Sequence, residues 1–445
     1  MSTIEEGESS RFRNQDNLLA RHIFSKYNPL SRSEPIAPKH CIFRLPQRFM
    51  KINDVPLKPQ VVAIGPYCSE RYGQLQKMED VKMQCLYYFL NVTQADLVEC
   101  LRQIRPHEEE IIGCYSEINN HNTDELLQMM IVDGFFILYV LLYHEKFVHL
   151  DDNPLYRLER VILPKIYTDL LLLENQIPFW VLDKLYEICN FNTSISMSLS
   201  DLITGAISAM LQIPSSINKP PQKCLHLLHF VRSICISSDH HNEYGERYYV
   251  PFSRIPCVTK LRGVGIKVNR HKEDNLLGVK LNGGVIEMPK LTLNNAMCSF
   301  LVNCVAFEQC HNCSMHFSIY ATFLEGLVNT VQDAEYLSDH RVIENFFGTN
   351  AEVVRFIKDL GKDLNIHLAE EEFYLFELFE DVAKYYQKRL HWANWQWTNF
   401  KREYFGKPWL LISAFVGILF FILTFLQTYY TIYAYKHPPR SGGIN

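Results

Sequence analysis

The chain lacks the short motifs by which many enzyme classes are recognised. Its 445 residues contain no G-x-S-x-G nucleophile elbow, no H-E-x-x-H zinc motif, no Walker lysine loop and no kinase signature. Gly263 and Gly265 stand without the third glycine of a dinucleotide-binding loop. Motifs therefore predict no enzymatic activity, no cofactor and no small-molecule substrate.

Positive charge is also in short supply. The net charge is -5, and lysine and arginine are scattered rather than gathered in a stripe, so nucleic acid is not a predicted partner. The N-terminus is polar and acid-rich and has no apolar stretch of the kind found in a secretory signal peptide. We therefore expect the bulk of the chain to be made in the cytosol.

Cysteine is present but shows no disulfide framework. Thirteen cysteines are dispersed from Cys41 to Cys313 in a chain large enough to bury a core, so reduced and mostly buried thiols are expected. Cys310, His311, Cys313 and His316 have the composition of a zinc half-site, but a second half-site is missing. No metal site is predicted.

The C-terminal region has the longest stretch without charge, from Pro408 to Tyr435. About 20 apolar residues suffice to cross the hydrocarbon core of a bilayer, so we predict one transmembrane helix over 405–435. The predicted anchor residues are Trp409, Leu410, Leu411, Ile412, Phe415, Val416, Ile418, Leu419, Phe420, Phe421, Ile422, Leu423, Phe425 and Leu426. The lipid bilayer is thus the first predicted partner.

Basic residues flank this segment unequally. Within about 20 residues, Lys388, Arg389, Lys401, Arg402 and Lys407 lie upstream, against Lys436 and Arg440 downstream. The positive-inside rule then places the N-terminal body in the cytosol, at the plasma membrane or an endomembrane. Trp392, Trp395 and Trp397 beside these basic residues favour contact with the headgroup interface.

The reversed topology stays open as an alternative. It would present the body outside the cell as a receptor or ligand. Three N-glycosylation sequons, at Asn91, Asn192 and Asn312, would then become accessible to glycosylation.

The rest of the chain has mainly helical periodicity. A second apolar segment, 126–143, carries only Asp133 as a charge. Because an unpaired carboxylate is costly in lipid, we expect this segment to be a buried core helix in which Asp133 pairs or caps. Residues 161–188 are predicted as two helices with a break at Gln176-Ile177-Pro178, where Glu174, Asn175 and Gln176 satisfy loose backbone groups.

The pattern changes near 255–293, where alternating segments and the Asn282-Gly283 dipeptide predict a hairpin. The predicted fold is mainly α: a large helical body with a small antiparallel β-sheet insertion and one C-terminal transmembrane helix. The predicted organisation is a flexible leader (1–38), one helical domain (39–404), the membrane helix (405–435) and a short tail (436–445).

Seven segments of the chain occur in the order of a known family. They are IGPYCSERYGQLQKMEDVK (64–82), MMIVDGFFILYVL (129–141), DLLLLENQIPFWVLDKLY (169–186), IPCVTKLRGVGIKV (255–268), GGVIEMPKLTL (283–293), VAFEQCH (305–311) and YFGKPWLLIS (404–413). Together they resemble the plant family catalogued as domain of unknown function 247, from about residue 40 to the anchor. The resemblance implies a helical plant protein with a single C-terminal membrane helix, and it implies no catalytic residue. Some grass relatives are associated with self-incompatibility, which implies recognition.

These features lead to one functional hypothesis and one rival from another class. The hypothesis is a tail-anchored, single-pass membrane protein that acts as a non-enzymatic recognition or signalling module and binds an unidentified protein. The rival is an uncharacterised enzyme that uses a buried acidic site, with Asp133 or Glu174 as its base.

Overall fold

A computed structural model gives the fold of most of the chain. It describes residues 40–52, 55–69, 75–118, 122–145, 147, 159–189, 197–213, 223–236, 254–271, 275–311, 313–346, 348–364, 366, 373–400 and 408–436. Several predicted features lie outside the described residues. They are the leader 1–38, Asn192, Asn312, the basic residues Lys401, Arg402 and Lys407, and the tail beyond Lys436.

The described residues form sixteen α-helices, two short 3-10 helices (Phe49–Lys51 and Arg105–His107) and five short strands. The helices are α1 Pro66–Ser69, α2 Gln76–Thr93, α3 Leu97–Ile104, α4 Glu108–Cys114, α5 Thr123–His144, α6 Glu159–Leu170, α7 Phe179–Ile188, α8 Leu199–Leu211, α9 Leu227–Ile234, α10 Val258–Gly263, α11 Asn295–Cys310, α12 His316–Leu327, α13 Val331–Asp339, α14 Asn350–Gly361, α15 Phe376–Phe400 and α16 Pro408–Lys436. The strands are β1 Lys267–Arg270, β2 Lys280–Asn282, β3 Val285–Met288, β4 Leu291–Leu293 and β5 Ile343–Asn345.

Two compact units divide the chain. The first takes 1–239, 294–318 and 363–366, and the second takes 240–293, 319–362 and 367–445. The assignment of 39–404 to a single domain stays a prediction.

The core of the first unit is built around α5. Asn122 caps this helix by accepting a hydrogen bond from the amide of Asp124, and every residue from Met130 to Tyr143 is buried. Phe89 of α2 packs against Phe135, with 5.6 Å between ring centroids. The expectation of a buried core helix is thus confirmed.

Two helices follow with the predicted break between them. The helix α6 ends at Leu170, and α7 begins at Phe179, directly after Pro178. Gln176 closes the gap because its Nε2 donates to the carbonyls of Leu170 and Leu172 at 2.7 and 2.8 Å. Since these carbonyls have lost their helical partners, the side chain does the work predicted for it.

The second unit holds both sheets. Asp333 at the start of α13 is buried and accepts hydrogen bonds from Thr330 and from the amide and hydroxyl of Thr259. These contacts fix α10 against α13 and lower the pKa of Asp333, although burial opposes the shift.

The three-stranded sheet differs from the prediction in one respect. The antiparallel hairpin is confirmed: β2 pairs with β3, and Gly283 and Gly284 form its turn with φ of 58° and 86°. However, β1 pairs with β3 in parallel, so the sheet is mixed and its strand order is β1-β3-β2. A purely antiparallel sheet was wrong because the pairing of β1 depends on a non-local contact that a turn signal does not specify. A separate parallel pair joins β4 and β5.

Candidate functional site

The extended segment 60–65, ahead of α1, is held by buried side chains of the α6–α7 region. Asp169, fully buried, accepts hydrogen bonds from the amides of Gln60, Val61 and Val62 at 2.7–3.1 Å. Burial raises the pKa of Asp169 to about 6, against the opposing effect of these three amides. The Asp169 carboxylate therefore accepts the amide hydrogen bonds that a neighbouring strand would accept in a β-sheet.

Asn175 also forms hydrogen bonds with this segment. Its Oδ1 accepts from the amide of Ile64 at 2.6 Å, and its Nδ2 donates to the carbonyls of Val62 and Asp169. All three of its hydrogen bonds go to buried backbone groups. Side chains, rather than a neighbouring strand, therefore satisfy the backbone of this segment.

Asp133 completes this buried network. Its Oδ2 accepts from the amide of Gly65 and its Oδ1 from the ammonium of Lys82, each at 2.7 Å. Burial would lower the pKa of Lys82, but Asp133 and Glu79 outweigh it and raise the pKa. Lys82 also donates to the carbonyl of Ala63. The prediction that Asp133 is paired within the core is confirmed.

Glu174 lies at the edge of the network and is partly exposed. Its Oε1 accepts from the amide of Leu45 at 2.7 Å, and Arg44 lies 3.4 Å from its Oε2. The Arg44 guanidinium also stacks 3.9 Å above the ring of Tyr67 and donates to the Tyr67 carbonyl. Glu174 thereby fixes the chain before α1 to the break after α6.

The C-terminal helix α16 is the second predicted site. The described side chains among its predicted anchor residues are all exposed, from 40% for Val416 to 75% for Phe421. Over Phe415–Tyr433 the mean hydropathy is 1.8 and none of the residues is buried. The helix α5 is also long and apolar enough to cross a membrane, but 89% of its apolar stretch is buried. Trp409, Leu410 and Leu411 lie on α16, but their side chains are outside the description.

Polar groups on α16 are largely satisfied within the helix. The hydroxyls of Thr424, Thr428 and Thr431 each donate to the carbonyl four residues earlier, at 2.7–2.8 Å. On the preceding α15, Trp392 and Trp395 are 57% and 60% exposed.

The third candidate for a functional site is an open cleft of about 980 Å³ in the first unit. No sequence motif predicted it. Its lining residues are Cys41, Pro106, His107, Glu109, Glu110, Gly113, Cys114, Phe179, Trp180, Asp183, Ser200, Lys223, Cys224, Leu225 and His311. Neither Asp133 nor Glu174 lines this cleft, so the two candidate bases of the enzyme hypothesis do not face it. The sequence could not indicate this cleft, because its walls come from regions more than 100 residues apart in the chain.

Trp180 forms the apolar wall of the cleft. Its ring packs 5.1 Å from His107, which in turn lies 3.2 Å from the carboxylate of Glu110. The indole nitrogen is buried and has no hydrogen-bond partner in the described part of the chain.

The predicted soft-ligand residues do not converge. The His311 ring stacks on Phe307, 5.2 Å away, and His316 is buried at the start of α12. Within the described ranges, no group of three or more histidine, cysteine or acidic side chains is placed to hold a metal ion. The structure describes all thirteen cysteines and places no disulfide among them. Nine of the thirteen are buried, in line with the expectation that most would be.

Comparison with known proteins matches these features to a family. The model of DUF247, described as a plant protein of unknown function, matches residues 42–423. A UPF0481 protein of Arabidopsis thaliana is 31% identical over 432 residues, which cover 91% of this chain and 88% of the relative. A putative UPF0481 protein of the same plant is 27% identical over 210 residues, or 44% of this chain and 37% of the relative. No solved structure matches.

Proposed function

The chain belongs to the DUF247 family of plant proteins of unknown function, and we propose that it is a membrane-tethered recognition protein. In this proposal α16 spans a bilayer, and the cleft of the first unit binds a basic segment of a partner protein. The exposure of every described anchor side chain on α16 carries the proposal.

The length and surface of α16 support the membrane role. At about 1.5 Å per residue, its 29 residues extend beyond the roughly 30 Å of a hydrocarbon core. Lys436, in its last turn, is its one charged residue. Exposed apolar side chains in such a continuous run are unfavourable in water, and lipid removes that cost. The hydroxyls bonded within the helix reduce the cost of burying threonine in lipid.

The charge and shape of the cleft support recognition of a basic segment. The lining of the cleft carries three carboxylates, from Glu109, Glu110 and Asp183, and one ammonium, from Lys223. Trp180 adds a flat apolar surface. Lysine or arginine beside an apolar residue would complement both.

Membrane insertion is tested with the full chain in microsomes. We expect the protein to resist carbonate extraction and a variant lacking 408–436 to be extracted. With the body in the cytosol, added protease digests it. Recovery of the full chain in the carbonate supernatant would reject the membrane role.

Topology has its own readout at Asn91, which is exposed on α2. A mass shift that glycosidase removes, and that Asn91→Gln abolishes, would show the body on the lumenal side. That outcome would replace the cytosolic assignment with the reversed topology.

Recognition is tested with full-length protein in detergent micelles and a set of labelled peptides rich in lysine or arginine. We expect binding that weakens at least tenfold in the double variant Glu109→Lys/Glu110→Lys. Glu335→Lys, an exposed position on α13 outside the cleft lining, is the matched control and should bind as wild type. Binding that survives charge reversal in the cleft, or that no basic peptide shows, would reject the cleft as the recognition site.

A further inference from the structure

The first described residues of the chain run alongside the end of α4. The amides of Cys41 and Ile42 donate to the carbonyl of Cys114 at 2.8 and 2.9 Å, and the amide of Ser116 donates to the carbonyl of Ile42. Ile42 and Tyr115 thus form a parallel β-bridge. Cys41 and Cys114 are the residues just before this bridge on the two segments, so their backbones lie at strand-pairing distance.

The side chains of the two cysteines meet as well. Their thiols hydrogen-bond to each other, and both residues line the cleft. Cys41 is only 4% exposed, whereas Cys114 is partly exposed. A small oxidant entering the cleft therefore reaches Cys114 first and finds Cys41 directly behind it.

The hydrogen bond also makes the two thiols unequal. It lowers the pKa of Cys114, although burial opposes the shift, whereas it adds to burial in raising the pKa of Cys41. Burial instead raises the pKa of Cys224, on the same cleft, to about 12. Because the thiolate is the reactive form, Cys114 is the nucleophile of the pair and Cys41 its resolving partner.

We propose that Cys41 and Cys114 form a reversible disulfide on the wall of the cleft when the protein meets a hydroperoxide. The Cys114 sulfur attacks the peroxide, its O–O bond breaks, and a sulfenic acid forms with release of one water from hydrogen peroxide. The Cys41 sulfur then attacks the sulfenic sulfur, the S–S bond forms, the S–O bond breaks, and the departing hydroxide takes the Cys41 proton as a second water. Two thiols are oxidised by two electrons in total, and a dithiol reductant reverses the change.

The cross-link has a consequence for folding and for the cleft. It joins residues about 70 positions apart in sequence, which restricts the unfolded chain. The oxidised protein should therefore unfold at a higher temperature than the reduced protein. It also ties the segment at residues 40–42 covalently to α4, so the wall of the cleft becomes permanent while the protein is oxidised.

The test uses reduced full-length protein in detergent micelles, treated with hydrogen peroxide and analysed by mass spectrometry of unreduced peptides. We expect the Cys41–Cys114 cross-linked peptide to be the main oxidised species and to disappear on treatment with dithiothreitol. Cys41→Ser should accumulate a sulfenic acid at Cys114 that dimedone labels, and Cys114→Ser should abolish the cross-link. Cys224→Ser, altered on the same cleft, should form the cross-link as wild type.

Two results would overturn the proposal. One is intact Cys41 and Cys114 thiols under conditions that oxidise other cysteines of the chain. The other is dimedone labelling of Cys41 in Cys114→Ser at the rate at which wild-type protein reacts, which would remove Cys114 as nucleophile. Should Cys41→Ser fail to fold, peptide mapping of wild type and of Cys114→Ser still decides the outcome.

Discussion

The ammonium of Lys82 lies 2.7 Å from Oδ1 of Asp133, and the two residues are only 2% and 1% exposed. Each also binds the backbone ahead of α1, Lys82 at the carbonyl of Ala63 and Asp133 at the amide of Gly65. The pair therefore joins α2, α5 and this segment at one buried point.

Removal of one member of the buried pair should be costly. Lys82→Met leaves the Asp133 carboxylate without its cation, and we expect a loss of about 3–5 kcal/mol in the free energy of unfolding. Chemical denaturation of the full chain in micelles measures this loss. The double variant Lys82→Met/Asp133→Asn should recover part of it, since asparagine still accepts from the Gly65 amide.

Lys184→Met provides the matched control for that comparison. Lys184 pairs with Glu187 at 2.8 Å, but their side chains are 40% and 53% exposed. Exposed pairs contribute little, so the change should stay within about 0.5 kcal/mol. A Lys82→Met variant as stable as Lys184→Met would contradict the role assigned to the buried pair.

A substitution of Asn175 tests the side-chain hydrogen bonds that hold residues 60–65. Asn175→Leu keeps the side-chain size but leaves the Ile64 amide and the Val62 carbonyl without their partner in the core. The Asp169 carbonyl keeps the Leu172 amide as a donor. At about 1–3 kcal/mol for each unpaired buried group, a loss of at least roughly 2 kcal/mol is expected. Asn91→Leu, at an exposed position of α2, should change stability little by the same denaturation measurement. Equal effects of the two substitutions would show that these hydrogen bonds do not stabilise the segment.

Gly65 and Gly265 form a matched pair of glycines with positive φ, of 68° and 84°. A Cβ on Gly65 would lie 2.4 Å from the carbonyl oxygen of Gln176, whereas one on Gly265 would meet nothing within 4 Å. Gly265→Ala should cost about 1–2 kcal/mol through backbone conformation alone. Gly65→Ala should cost clearly more, as thermal unfolding of both variants would show. If the two variants melt together, the close approach at Gly65 is not a constraint on the fold.

Acid should destabilise the first unit through its buried histidines. Burial, with repulsion from Arg232 and His311, lowers the pKa of His229 to about 4, from an ordinary value of 6.5. The unfolded chain therefore binds a proton that the folded chain resists. The stability contributed by neutral His229 is complete above pH 6.5 and is lost as the pH falls from 6.5 to about 4.

Denaturation at a series of pH values measures this effect. The Leu225 amide donates to Nδ1 of His229 at 3.2 Å, and His229→Asn keeps an acceptor for it. The variant should reduce the acid-induced loss in the free energy of unfolding by roughly 2–3 kcal/mol. His226, whose pKa burial also lowers, accounts for a remaining slope. His340→Asn, at an exposed position, is the matched control for the substitution itself. An unaltered slope in His229→Asn would exclude this histidine as a source of the acid sensitivity.

Local composition was enough to predict several features. The uncharged run that becomes α16, the apolar run that becomes α5 and the break before Pro178 each depend on neighbouring residues in the chain. The hairpin is equally local, although its turn lies at Gly283 and Gly284, one residue later than the Asn282-Gly283 dipeptide indicated, because positive φ at both positions is easy for glycine. Asp133 within an apolar run was a correct sign that α5 lies in the core, since a carboxylate there needs a partner.

Non-local contacts were beyond that reasoning. The partner of Asp133 is Lys82, 51 residues away, and the thiol partner of Cys114 is Cys41 on a different segment. The parallel pairing of β1 with β3 and the walls of the cleft likewise arise where distant segments meet. No spacing in the chain distinguishes these residues from others of the same type.

The helical class of this protein, its family and the long apolar helix at its C-terminus follow from the sequence, because periodicity, motif order and runs without charge are properties of consecutive residues. The tertiary structure was needed to find the cation that pairs with Asp133, the parallel pairing of β1 with β3 and the residues that line the cleft. Those outcomes depend on distances between segments far apart in the chain, and packing sets those distances.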